Sequence, residues 1–136
     1  MGFWDDAEVI HSYSRAQAIA DGVLVDVTTD AAEAGFKLPC AMTVAAWSDA
    51  VEWSEHDEAR KAEGTGQSLR GRLWDVLYLA NLAARHGRGG DRLAYTVARI
   101  PREGATVAPE PMRLVLHIGP GDTAAPVLTI MLPGED

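Results

Sequence analysis

Short apolar runs separated by polar residues set the predicted elements of the chain. After an acidic leader, Glu8–Ser12 reads as a short strand. Ser14 is placed to cap a helix, with Gln17 three residues on completing a capping box. That helix, Arg15–Asp21, stops at Gly22, which suits a left-handed cap. Val23–Val27 is rich in β-branched residues and reads as a strand. A strand, a short helix and a second strand suggest a parallel crossover. Thr28-Thr29-Asp30 offers a second N-cap, and Gly35 ends a turn or two of helix. Phe36–Pro39 reads as a loop whose proline breaks any continuation. Thr43 then caps a helix reaching about Glu55, with Val44, Trp47 and Val51 at helical spacing.

From Glu55 to Gln67 the chain is polar and reads as an exposed connection. Ser68 caps the clearest helix, Leu69 to about His86, closed by Gly87. Leu69, Leu73, Val76, Leu77 and Ala80 form its apolar stripe, flanked by Trp74 and Tyr78. Three strands follow. Leu93, Tyr95 and Val97 alternate with smaller residues. Met112, Leu114, Leu116 and Ile118 alternate with Arg113, Val115 and His117, a period of two. Gly119–Asp122 starts a hairpin connection, and Val127–Leu132 returns antiparallel. The order predicts an α+β fold: a mixed sheet with a C-terminal antiparallel hairpin and helices packed mainly on one face. The 136 residues suit a single domain spanning 1–136.

Composition narrows the class. A hydrophobic fraction of 47% is enough for a core. No apolar run approaches the roughly 18–20 residues that span a bilayer. The first residues lack the basic and apolar regions of a signal peptide, and Cys40 is the only cysteine. Together these predict a cytoplasmic protein with no membrane partner and no intrachain disulfide. The net charge of −8 is uneven: residues 1–63 carry 13 acids against 4 bases, and residues 64–136 carry 7 acids against 8 arginines. Such a balance argues against direct nucleic-acid binding, which needs a basic footprint. It favours an acidic face that meets a protein with a basic surface.

Several segments carry a family likeness: Val9–Val27, Glu33–Phe36, Arg72-Leu-Trp-Asp75, His117–Asp122 and Thr129–Asp136. Through them the chain resembles an uncharacterised family of small bacterial proteins often carried on plasmids and integrated mobile elements. The resemblance covers nearly the whole chain. It implies accessory work such as countering host defence or regulating the element, and it brings no established active site.

The leading expectation is therefore a non-enzymatic acidic interaction protein, DNA-mimic-like, with no cofactor and no metal. Its partner-binding candidates are Asp21, Asp26, Asp30, Glu33, Asp49, Glu52 and Glu55. Trp53 joins them because it stands off the Val44–Trp47–Val51 stripe; exposed, it would mark a partner surface or a homodimer seam. The alternative is a small nucleotide-binding enzyme resembling ADP-ribosyltransferases, with His11, Tyr13, His117 and Glu135 as candidates and Asp122 within reach. On one strand, His11 and Tyr13 would share a face. Glu52 and His56 have the i, i+4 spacing of metal ligands, but two ligands make no site without a third. Cys40 reads as a small buried hydrophobe. Gly87–Asp91 and Gly119–Asp122 lead into strands and match no phosphate-cradling loop. Arg70, Arg72, Arg85, Arg88 and Arg92 are candidates for a local basic patch.

Overall fold

Ser14 starts the first helix as its spacing predicts: the hydroxyl accepts the Gln17 N–H at 2.9 Å. The Gln17 amide turns instead to Asp21, at 2.9 Å, so the expected capping box is replaced by a side-chain contact along the helix. The computed structural model describes residues 13–61, 63–87 and 89–135. The expected strand at Glu8–Ser12, and with it the parallel crossover, lies outside the described residues.

The helices are α1 (Arg15–Ala20), α2 (Thr28–Glu33), α3 (Val44–Ala50), α4 (Glu55–Ala59) and α5 (Leu69–His86); the strands are β1 (Leu24–Asp26), β2 (Cys40–Thr43), β3 (Arg92–Arg99), β4 (Glu110–Pro120) and β5 (Pro126–Met131). The five strands form one mixed sheet in the order β1-β2-β5-β4-β3. β2 runs parallel to β5, and the other neighbours are antiparallel. The fold is α+β, with the C-terminal strands paired antiparallel.

Local chemistry accounts for most boundaries. Gly22 (φ +78°) ends α1 and Gly35 (φ +108°) ends α2, both in the left-handed region that glycine enters without a Cβ penalty. Ser68 caps α5 through the Gly71 N–H, and Thr43 caps α3 through the Ala46 N–H. α2 differs from expectation. Its N-cap is Val27, and the Thr28 hydroxyl is drawn to Asp26 at 2.6 Å while accepting the Cys40 N–H at 3.0 Å. The helix expected to reach Glu55 stops at Ala50. Ser54 then opens α4 with a capping box of its own: its hydroxyl accepts the Asp57 N–H, and the Asp57 carboxylate accepts the Ser54 N–H.

β2 follows the expected Phe36–Pro39 loop, at residues for which the sequence predicted no strand. It lies between β1 and β5, and Cys40, Ala41 and Met42 are buried on both faces, so no period of two marks it. One face of the sheet holds the core. Cys40, Met42, Leu128, Ile130, Leu114, Leu116, Tyr95 and Val97 pack against Leu73, Val76, Leu77 and Ala80 of α5, with Ala31, Ala46 and Ala50 of α2 and α3 beside them. The Tyr95 hydroxyl donates to the Val76 carbonyl, which satisfies its polar tip inside the core. α1 reaches the opposite face, where Arg15 Nη1 donates to Thr129 Oγ1 at 2.7 Å.

Candidate functional site

The C-terminus of α3 leaves carbonyls with no intrahelical partner, and arginines take them. Arg102 Nη1 donates to the Ser48 carbonyl, Arg72 Nη2 to Asp49, Arg99 Nη1 to Ala50 and Arg72 Nε to Val51, at 3.0–3.3 Å. The positive charges also face the negative end of the helix dipole. Arg72 is 1% exposed, and its remaining Nη1 contacts are the Ile100 carbonyl and the Gln67 amide oxygen. Burial, with Arg99 and Arg102 nearby, lowers its pKa to about 10, so it remains charged at neutral pH. The Arg72 guanidinium lies 4.8 Å over the Trp53 ring.

One more cation joins this hub. Lys61, also buried, donates to the Pro101, Glu103 and Gly104 carbonyls and so holds the β3–β4 loop. Arg102 bonds the buried Asp57 at 3.0 Å and Glu52 at 3.2 Å. Burial acts to raise the Asp57 carboxyl, but hydrogen bonds from Ser54 and Arg102 outweigh it and hold the group below its usual range. Arg99 pairs with Asp75 at 3.1 Å. A cleft of about 540 Å³ opens beside the hub, lined by Arg60, Arg99 and Arg102 and by Asp49, Glu103 and Glu110. Its arginines are engaged with carbonyls and carboxylates. The side chains of Asp49, Glu103 and Glu110 are exposed and make no hydrogen bond among the described residues.

The acidic candidates fall into two groups. Asp21, Asp26, Asp30 and Glu33 follow one another around α1, β1 and α2 at one edge of the sheet; Asp49, Glu52 and Glu55 sit at the α3–α4 junction. Four of the seven are engaged internally. Asp21 accepts from Tyr13 and Gln17, Asp26 from Thr28, Asp30 pairs with Arg70 at 3.4 Å, and Glu52 pairs with Arg102. Glu33, Asp49 and Glu55 are exposed and make no side-chain bond among the described residues. Trp53 is 8% exposed, with its indole N–H on Glu58, so it presents no open surface. Besides Tyr13, the exposed aromatics among the described residues are on α5: Trp74 and Tyr78, 44% and 45% exposed, stack at 5.8 Å.

The residues of the enzyme reading are placed as follows. His11 lies outside the described residues. Tyr13 is exposed, and its hydroxyl donates to Asp21 at 2.6 Å; that bond raises the Tyr13 pKa and lowers that of Asp21. His117 lies half-buried on the face away from the core, its ring over Gly119. Glu135 is anchored, accepting from the Thr43 hydroxyl at 2.7 Å and the Leu132 N–H at 2.8 Å. Asp122 accepts the Ala16 and Arg15 N–H groups at the start of α1, and those bonds lower its pKa. No hydrogen bond joins Tyr13, His117 and Glu135, and they line none of the clefts of about 540, 330 and 200 Å³.

Glu52 and His56 do not share a helix face, because the chain breaks between α3 and α4. Among the described residues, no three His, Cys, Asp or Glu side chains group to hold a metal ion. Cys40 is buried, and burial raises its thiol to about 12, which keeps it protonated. Arg72 leaves the expected basic patch for the interior, and nothing is described of the Arg88 side chain. Among the described residues no helix is long and apolar enough to cross a membrane.

Sequence reasoning missed the buried cations. One signal was present: Arg99 continues the period-two series of Tyr95 and Val97, which faces the core. Lys61 had no such marker, because its carbonyl partners lie in a loop about forty residues later.

Over residues 1–136 the chain matches the model of a family of unknown function (DUF6573), and it belongs to that family. No curated protein and no solved structure matched the chain.

Proposed function

We propose that the chain is a non-enzymatic interaction protein whose acidic surface occupies a basic, nucleic-acid-binding surface of another protein, as a DNA mimic does. The observation that carries this reading is the segregation of charge. Among the described residues Lys61, Arg72 and Arg99 are buried, while Asp57 is the one buried carboxylate. The surface is therefore more negative than the total of −8 implies. Glu33, Asp49 and Glu55 are left facing solvent. Cations that would neutralise the acids from outside instead cap a helix and hold a loop from within. The sequence resemblance supports the further reading that the protein serves a mobile element, as an anti-defence or regulatory factor.

Binding of this kind weakens with salt, because the screening length shrinks from about 10 Å at 0.1 M to about 3 Å at 1 M. The test is capture of basic partners from bacterial lysate by the immobilised chain, in parallel with a Glu33→Gln/Asp49→Asn/Glu55→Gln variant. Capture is expected at about 0.1 M salt, with release by about 0.5 M salt or by duplex DNA, and the variant is expected to retain little. Equal capture by the variant, or a complex indifferent to salt, overturns the reading.

A further inference from the structure

We infer that the protein self-associates through the free edge of β3, two copies joining their sheets antiparallel about a two-fold axis at Tyr95. The two edges of the sheet differ. β1 offers three residues, too short to template another strand, and short edges are a usual protection against unwanted pairing. β3 offers eight, and its register with β4 runs from Arg92↔His117 to Arg99↔Glu110 without a bulge. It contains no proline and no lysine. Among the described residues no strand flanks it on the outer side.

The direction of its backbone groups follows from one bond. Ile118 N–H donates to the Asp91 carbonyl at 2.9 Å, so odd-numbered residues of β3 face β4 and even-numbered residues face outward. The N–H groups of Ala94 and Thr96 thus point into solvent and make no bond among the described residues. Ala94, Thr96 and Ala98 are exposed, and their small side chains leave room for a second backbone.

The occupant is a second copy because the edge complements itself. A two-fold axis at Tyr95 sets Ala94 opposite Thr96 of the other copy, so the outward N–H and C=O groups of the two strands meet as hydrogen-bonded pairs. The same register sets Leu93 opposite Val97, an apolar pair on the core face. Long-range charge also permits it. The β1 edge, with α1 and α2, carries Asp21, Asp26, Asp30 and Glu33, whereas residues 64–136 carry 8 arginines against 7 acids. Joining at β3 leaves the acidic edges at the two far ends, where their mutual repulsion is screened.

The full chain should be weighed by light scattering or sedimentation from ~1 to ~200 μM, since dimer population follows concentration. The expected mass at the upper end is twice 14.6 kDa. Thr96→Pro and Ala94→Pro each remove an N–H that no described bond uses, so both should keep the fold by circular dichroism and be monomeric. In the wild-type dimer the Ala94 and Thr96 amides should exchange with solvent at least about tenfold more slowly than in the variants or in dilute monomer. A monomer at every concentration overturns the proposal, as does a dimer that survives both substitutions. If neither variant folds, rapid exchange of those two amides in the concentrated wild type overturns it.

Discussion

At position 72 the chain buries a guanidinium whose acceptors are three backbone carbonyls and one amide oxygen. Removing it orphans the end of α3 and leaves Trp53 with only the more distant Lys61, 6.0 Å from its ring centroid. Arg72→Met should cost about 3 kcal/mol, read as a shift in urea midpoint. Arg72→Lys should recover little, because an ammonium cannot spread donors to the Val51, Asp49 and Ile100 carbonyls together. Wild-type stability in Arg72→Met would show that these bonds contribute nothing net. Glu58 makes a different prediction. Hydrogen bonds from the Thr65 hydroxyl and N–H, helped by the Gly66 N–H and the Trp53 indole, lower its pKa to about 2. A depressed carboxylate stabilises the fold fully above its unfolded value of about 4.3, and the contribution disappears as pH falls toward the folded value. Melting temperature should therefore fall between pH 5 and pH 2 by more in the wild type than in Glu58→Gln. Parallel pH profiles would contradict this. A signal for Arg99 lay unused in the β3 alternation, but Glu58 had no such marker, since its partners Thr65 and Gly66 sit in the loop after α4.

At the level of elements, caps were the most legible feature. Ser14, Thr43 and Ser68 each start a helix as their spacing predicts, because a short side chain can accept an N–H three residues on whatever the tertiary setting. Ser68→Ala should cost about 1 kcal/mol. Thr43→Ala should cost more, since its hydroxyl accepts from Ala46 and also donates to Glu135, tying down the C-terminal segment. Chemical denaturation of the two variants tests the order, and equal losses would assign no stability to the Glu135 contact. Elements without a local signature were misread. β2 has no alternation because both its faces are buried. The expected long helix from Thr43 to Glu55 broke because the Ser54–Asp57 capping box and the arginines on the α3 carbonyls both favour an end at Ala50.

At the scale of the whole molecule, charge and topology decide what the surface offers. Acids dominate residues 1–63 while residues 64–136 are nearly neutral, and the fold draws Lys61, Arg72 and Arg99 inward. One sheet edge is short and acidic; the other is long, nearly neutral and open along Ala94 and Thr96. The sequence by itself determined the α+β class, the caps at Ser14, Thr43 and Ser68, the C-terminal antiparallel pair and the uneven charge, because each is written in spacings of a few residues or in composition. The tertiary structure alone decided the strand order, the burial of Lys61, Arg72 and Arg99, the exposure of Trp74 in place of Trp53, and which strand lies at the open edge. Those depend on contacts such as Cys40 with Leu128 and Arg72 with Ile100, between segments far apart in the chain. Local spacing carries no record of which distant backbone a strand or a guanidinium will meet.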